Sequence, residues 1–134
     1  MIKKMVVEIA QKNNFPYKVT DNDDIYLDVI GKSGTWISFS KVLENENLFN
    51  FYSVLNSSVP EQKRDKILRL ITKINFGLKT SSFEFNESTG ELRLKNSISF
   101  PENKANEDFI ERAIFLNITC MDNYFEEIMR EIYS

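Results

Sequence analysis

The stretch Phe83-Glu84-Phe85-Asn86-Glu87-Ser88-Thr89-Gly90-Glu91-Leu92-Arg93-Leu94-Lys95 decides the fold class. Phe83 and Phe85 alternate with polar residues, and so do Leu92 and Leu94. That is the period of two of a half-buried strand. Glu87-Ser88-Thr89-Gly90 between them supplies turn chemistry, so the segment predicts a β-hairpin. Ile98 and Phe100 continue its apolar phase before Pro101.

On either side of the hairpin the period changes to that of a helix. Upstream, Ile67, Leu70, Ile71 and Ile74 form a stripe, with Lys63, Arg64, Lys66, Arg69 and Lys73 mostly off it. Ser58-Val59-Pro60-Glu61 has the spacing of a capping box, and Gly77 suits the helix end. Downstream, Asn106 is placed as an N-cap, with Glu107 and Asp108 favourable to the helix dipole. A long helix follows through Ile110, Ala113, Ile114, Met121, Tyr124, Phe125, Ile128 and Ile132. Further upstream, Ile25-Leu27-Val29, Ile37-Phe39 and Phe49-Phe51 alternate with intervening residues and are separated by turns. They read as a three-stranded antiparallel meander. Ile2, Met5, Val6, Ile9 and Ala10 recur at helical spacing before it. The order is α-β-β-β-α-β-β-α. Strands and helices come in groups, so the class is α+β, an antiparallel sheet packed on helices. With 134 residues and no linker or repeat, residues 1–134 are expected to be one domain.

Composition excludes much chemistry. The chain has no His and one Cys, which removes Ser-His-Asp and Cys-His catalysis, a disulfide framework and zinc sites of the finger type. A net charge of −3 argues against nucleic acid as partner. Asp21, Asp23 and Asp24 lack the glycine and distal glutamate of a calcium loop, where Tyr26 and Lys32 stand, and read as a solvated turn. No catalytic, metal or cofactor residue is therefore assigned. Cys120 lies in an apolar segment and reads as a buried small hydrophobe. The run after Lys3-Lys4 is cut by Glu8, so it does not read as a signal peptide, and no stretch approaches a membrane span. A cytoplasmic protein is expected. The sequons at Asn56, Asn86 and Asn117 are then chance matches.

Several of these segments together resemble the YbjN-like family of bacterial sensory transduction regulators. They are Val59-Pro60-Glu61 with Arg64, Ile74-Asn75, Phe83-Glu84-Phe85, Gly90-Glu91-Leu92, Asp122-Asn123-Tyr124 and, upstream, Phe49-Asn50-Phe51-Tyr52-Ser53. The resemblance implies a fold similar to that of type III secretion chaperones, a homodimer, and binding of another protein or an extended peptide segment. It implies no catalytic residues.

Two regions are candidate surfaces. With Ile25, Leu27, Val29, Ile37, Phe39, Phe49, Phe51, Phe83, Phe85, Leu92 and Leu94 on the core face of the sheet, the reverse face carries Tyr26, Ile30, Trp36, Val42, Leu48, Tyr52 and Val54. Either that face is an interface, a helix covers it, or the strand phase is off by one residue. Under the first reading Tyr26, Trp36, Leu48 and Tyr52 are the partner-binding residues. Residues 113–121 look apolar on nearly every side, which predicts helix burial all round and a dimer contact through Phe115, Ile118 and Met129. The leading reading is a non-enzymatic protein-binding module, chaperone-like or regulatory. The alternatives are an immunity or inhibitor protein for one partner, and a small-molecule sensor with a cavity between sheet and helices.

Overall fold

The structure, a computed structural model, describes residues 1–134. The hairpin forms as strands β5 (Ser82–Phe85) and β6 (Leu92–Ser99), with Phe83 opposite Leu94 and Phe85 opposite Leu92. Gly90 closes its turn at φ +80°, a conformation that costs glycine little. A Cβ there would strike the Val59 carbonyl and the Arg64 guanidinium. The meander forms as β2 (Ile25–Leu27), β3 (Ile37–Leu43) and β4 (Leu48–Val54). An additional short strand, β1 (Tyr17–Val19), pairs with β2 at the sheet edge. Every pairing is antiparallel and the strand order is β1-β2-β3-β4-β6-β5.

Three helices lie on one face of this sheet: α1 (Ile2–Lys12), α2 (Arg64–Gly77) and α3 (Glu107–Tyr133). Asn106 caps α3 as expected, its side chain accepting from the Phe109 amide at 3.1 Å. The capping box at Ser58 does not form. A 3₁₀ turn over Glu61–Lys63 precedes α2, with Pro60 capping the turn and Lys63 capping α2, and neither makes a side-chain cap hydrogen bond. The Glu44 carboxylate, at the β3–β4 turn, instead serves the start of α1 by accepting from the Ile2 and Lys3 amides.

Helix α3 runs about 40 Å and divides the core in two. Its first half, with Ile110, Ala113 and Ile114, packs with α1 on Ile25, Leu27, Phe49 and Phe51. Its second half, with Met121, Ile128 and Ile132, packs with α2 on Phe83, Leu92 and Leu94. Ile118 touches both. Between the halves lies Asn117, which is 0% exposed. Its Oδ1 accepts from the Ser53 hydroxyl at 2.6 Å. Its Nδ2 faces the Leu94 carbonyl at 3.0 Å and Asn96 Oδ1 at 2.9 Å, with the Phe51 carbonyl at 3.4 Å. Ser38 extends the network, its hydroxyl 3.3 Å from that of Ser53.

Two expectations are corrected by this arrangement. Strand β3 sits one residue out of the expected phase. Trp36, Ser38, Ser40 and Val42 point to the helices, whereas Ile37 and Phe39 point away, because Ser38 opposes Ser53 and Ser40 opposes Phe51 on the inner side. Helix α3 is also not buried all round, since Phe115, Leu116 and Thr119 face solvent.

Removing the amide of Asn117 takes away the acceptor of the Ser53 hydroxyl and the donor to Asn96 Oδ1 and the Leu94 carbonyl in a buried site, leaving Ser38 as the neighbour of Ser53. Asn117→Ala is expected to cost about 3 kcal/mol. In urea unfolding the midpoint falls while the slope stays unchanged. A loss below about 1 kcal/mol would show that the network is dispensable.

Candidate protein-binding face

The helix-free side of the sheet carries an aromatic row. Tyr26 on β2, Phe39 on β3 and Tyr52 on β4 are direct cross-strand neighbours. Their rings stack with centroids 5.1 Å apart at each step and interplanar angles of 24° and 28°. Beyond Tyr52 the row continues as a cation. The Arg93 guanidinium on β6 lies 4.6 Å from the centre of the Tyr52 ring. Arg93 Nε then donates to Glu84 on β5 at 2.7 Å. One line of side chains thus crosses five strands. Each stacked pair is worth about 1 kcal/mol beyond its area, and the line stiffens a sheet that has no second layer here. Ile37 and Leu43 are exposed beside it, and Leu48 and Val54 are half-buried.

The expected site residues divide accordingly. Tyr26 and Tyr52 lie in the row, and Leu48 lies on the same face two outward positions along β4 from Tyr52. Trp36 does not. It is 5% exposed, packs on Phe125 of α3 with ring centres 5.5 Å apart, and belongs to the core half built on α2. Its place on the face is taken by Phe39 and Ile37, which follow from the one-residue phase shift of β3. Within Trp36-Ile37-Ser38-Phe39-Ser40 only Trp36 favours the observed phase, and it is outweighed by Ile37 and Phe39 set against Ser38 and Ser40. The cross-strand match of Tyr26 with Phe39 and Tyr52 is the signal that could have found it.

The three residues expected at a dimer contact are also separated. Phe115 is 39% exposed and rests on Phe15, ring centres 5.7 Å apart. Ile118 is packed between the two core halves, and Met129 packs against the α2 half. Phe109 and Leu116, near Phe115 on α3, are exposed as well, and they flank a groove of about 280 Å³ against Ile98 of β6.

Polar residues of the helices mostly act as clamps. Arg64 donates to the carbonyls of Val59, Glu87 and Ser88, tying α2 to the hairpin turn. Asn75 exchanges two hydrogen bonds with the backbone of Phe83, at 2.9 and 2.8 Å. Asp122 accepts from the Lys32 and Ser33 amides at 2.9 and 2.8 Å and holds the loop before β3 onto α3. Burial acts to raise the Asp122 pKa. The two amides, the Ser33 hydroxyl and the Lys32 charge outweigh it and hold the carboxyl below its usual range. Burial pushes the Cys120 thiol up, which disfavours the reactive thiolate. Lys66, Arg69 and Lys73 form an exposed basic side of α2. No helix is long and apolar enough to cross a membrane.

The sequence profile of the YbjN family, described as "Putative bacterial sensory transduction regulator", matches residues 3–130. Among solved structures the fold is similar to that of YbjN from E. coli, with TM-score 0.64 and 12% identity over 91% of this chain and 92% of that one. A chain of the ExsC–ExsE complex matches with TM-score 0.62 and 13% identity, covering 94% and 91%. A chain of the HopA1–SchA chaperone–effector complex matches with TM-score 0.59 and 13% identity, covering 94% and 93%. At these identities the likeness is one of fold. No curated protein matches in sequence.

The Asp122 clamp gives the stability a pH dependence. A carboxyl with a depressed folded-state pKa contributes stability that is present above its unfolded value and lost as pH falls through the folded one. Asp122→Asn is therefore expected to be about 1 kcal/mol less stable than the native chain at neutral pH. That gap closes as the pH drops below the usual carboxylate range. Paired urea unfolding curves across pH check this, and a gap that stays constant would remove the charge from the explanation.

Proposed function

Because the chain belongs to the YbjN family, we propose that it works as a non-enzymatic protein-binding module, chaperone-like or regulatory, in the cytoplasm and as a homodimer. One observation carries the reading. All three helices pack on one face of the sheet, and the other face has no second layer, so that Tyr26, Ile37 and Leu43 stay exposed there beside the half-buried Phe39 and the buried Tyr52. Surfaces of this composition, rich in aromatic residues and Arg, are typical of the centres of protein interfaces. Two of the solved structures of similar fold are complexes, ExsC with ExsE and SchA with HopA1. An extended segment of a partner would lie across Tyr26, Phe39, Leu48 and Tyr52. It could also add to a free sheet edge at β1 or β5, each of which pairs on one side only. The sequence supplies no His, the Glu126 and Glu127 carboxylates are exposed on α3, and Glu131 lies half-buried beside Lys66, Arg69 and Lys73 of α2, which supports binding over catalysis.

The dimer would use the other exposed apolar surface, Phe109, Phe115 and Leu116 on α3. Ile118 and Met129 are already packed within the chain and support it from beneath.

Two experiments test these surfaces separately. Light scattering on the purified chain is expected to give twice the monomer mass, and Phe115→Asp with Leu116→Asp to give the monomer mass with unchanged circular dichroism. A native chain that is already monomeric rejects the dimer. For the sheet face, Tyr26→Asp with Ile37→Asp is expected to keep the fold and lose the protein that the native chain captures from its own cell. Retention of that protein by the variant would reject the face.

A further inference from the structure

Strand β6 outruns its neighbour on one side. Ser82 opens β5 opposite Lys95, so Asn96-Ser97-Ile98-Ser99 continues where β5 is absent. Along β6 the main chain bonds alternately to either side. The Leu92 carbonyl accepts from the Leu55 amide at 3.1 Å, and the Phe100 amide donates to the Asn47 carbonyl at 2.9 Å, both on the β4 side. Ser97 and Ser99 lie in the opposite phase. Their N–H and C=O groups point to the side that β5 leaves open, and nothing in the chain bonds them there. Both residues are exposed. Ile98, between them, points to the helix side and lines the groove of about 280 Å³ with Phe109, Ala113 and Leu116, where Arg112 is the one charged residue. Free edges are normally blunted by charge, proline or a bulge. The β1 and β5 edges carry Lys18 and Glu84, whereas Ser97-Ile98-Ser99 carries no charge and pairs with β4 without a bulge.

We propose that this open edge is the main-chain contact of the homodimer: β6 of one copy pairs antiparallel with β6 of a second copy about a two-fold axis at Ile98. The proposal rests on the reading that the exposed apolar residues of α3 form the dimer contact, and it adds the element that sets their register. The edge is complementary to itself. In an antiparallel ladder centred on Ile98, Ser97 lies opposite Ser99 of the partner subunit, and the two exchange both N–H to O=C bonds, so each orphan group finds a partner. Ile98 lies opposite Ile98 of the partner subunit at the closely spaced, non-hydrogen-bonded position. The two side chains meet beside the grooves of both copies and draw Phe109 and Leu116 of each into one apolar contact. Positions 96–99 are uncharged, so the ladder sets no like charges against each other. A lone extended segment would satisfy the same main-chain groups, but it has no second α3 to cover Phe109 and Leu116.

The test is cysteine cross-linking of the full chain carrying Cys120→Ser, read beside light scattering. Opposed Cα atoms at a non-hydrogen-bonded position lie about 4.5 Å apart, within reach of a disulfide. Ile98→Cys is therefore expected to give a covalent dimer on mild oxidation with copper–phenanthroline. Ser97→Cys is expected to give none, because it faces Ser99 and not its own copy. Ser99→Pro removes an edge donor that the fold itself does not use. It is expected to weaken the dimer about tenfold or more with unchanged circular dichroism, while Ser99→Ala leaves the dimer intact. Twice the monomer mass without an Ile98→Cys cross-link, or a dimer indifferent to Ser99→Pro, would overturn the ladder and leave the α3 contact standing. Equal cross-linking of Ser97→Cys and Ile98→Cys would overturn it too. A native chain of monomer mass would overturn ladder and dimer together. Slowed hydrogen exchange of the Ser97 and Ser99 amides only with a captured protein would give the edge to that protein and overturn the second copy as its occupant.

Discussion

The buried amide of Asn117 fixes how the rest of the molecule is arranged. It stands on α3 where an apolar residue would be free to slide, and it makes its hydrogen bonds to β4 and β6 at the centre of the sheet. A buried amide left unpaired costs far more than an apolar contact shifted along a helix. The register of α3 against the sheet is therefore set by this one side chain. From that register follow the two core halves, one shared with α1 and one with α2. Helices α1 and α2 join α3 on the same side through their own apolar residues, Ile2, Val6 and Ile9 on one and Ile67, Ile71 and Ile74 on the other, which leaves the other side of the sheet without a second layer.

Apart from Tyr52 and Glu84, which lie on the open face, most residues that carry the family resemblance belong to this closed side and to the connections. Arg64 holds the hairpin turn, Asn75 the start of β5, Asp122 the loop before β3, and Ser53 the amide of Asn117. Gly90 lets the turn approach Val59, whose amide donates to the Gly90 carbonyl at 2.8 Å. These contacts explain why the sequence pattern identifies an architecture. They say little about the partner, because none of them reaches the aromatic row. Partner recognition, on the reading argued above, depends on outward positions that the fold leaves free.

Much of the fold was legible in the sequence because local chemistry and tertiary context agree there. The hairpin at Phe83–Lys95 has its turn glycine at positive φ, and Asn106 caps the helix it precedes. Three features were not legible. Strand β1 is three residues with no buried side chain, so it has no apolar period to read. The cap at Ser58 was displaced by a 3₁₀ turn fixed by Pro60. The phase of β3 was inverted because its inner side is filled by Ser38 and Ser40, beside the polar network, while Ile37 and Phe39 are outside. The rule that larger apolar residues face the core fails where the core itself contains a hydrogen-bonded network and the outside contains a stacked row. That single inversion moved Trp36 out of the candidate site and Phe39 into it. Asn117 likewise broke the apparent apolar ring around α3, whose outer positions turn out to be Phe115 and Leu116.

The stacked row has a consequence for binding itself. Rings and guanidinium are held at fixed spacing by cross-strand pairing, with Tyr52 only 7% exposed and Tyr26 open at the other end. Association costs include the freezing of side chains at the interface, roughly 0.5–1.5 kcal/mol for each rotamer-rich group. Here the anchors are already frozen by one another, so that cost falls mainly on the partner. A disordered segment bears a large ordering cost when it binds. A stiff, preorganised sheet face is the surface on which such a segment loses the least additional free energy. The absence of a second layer over this sheet and the order of its side chains thus point to the same use.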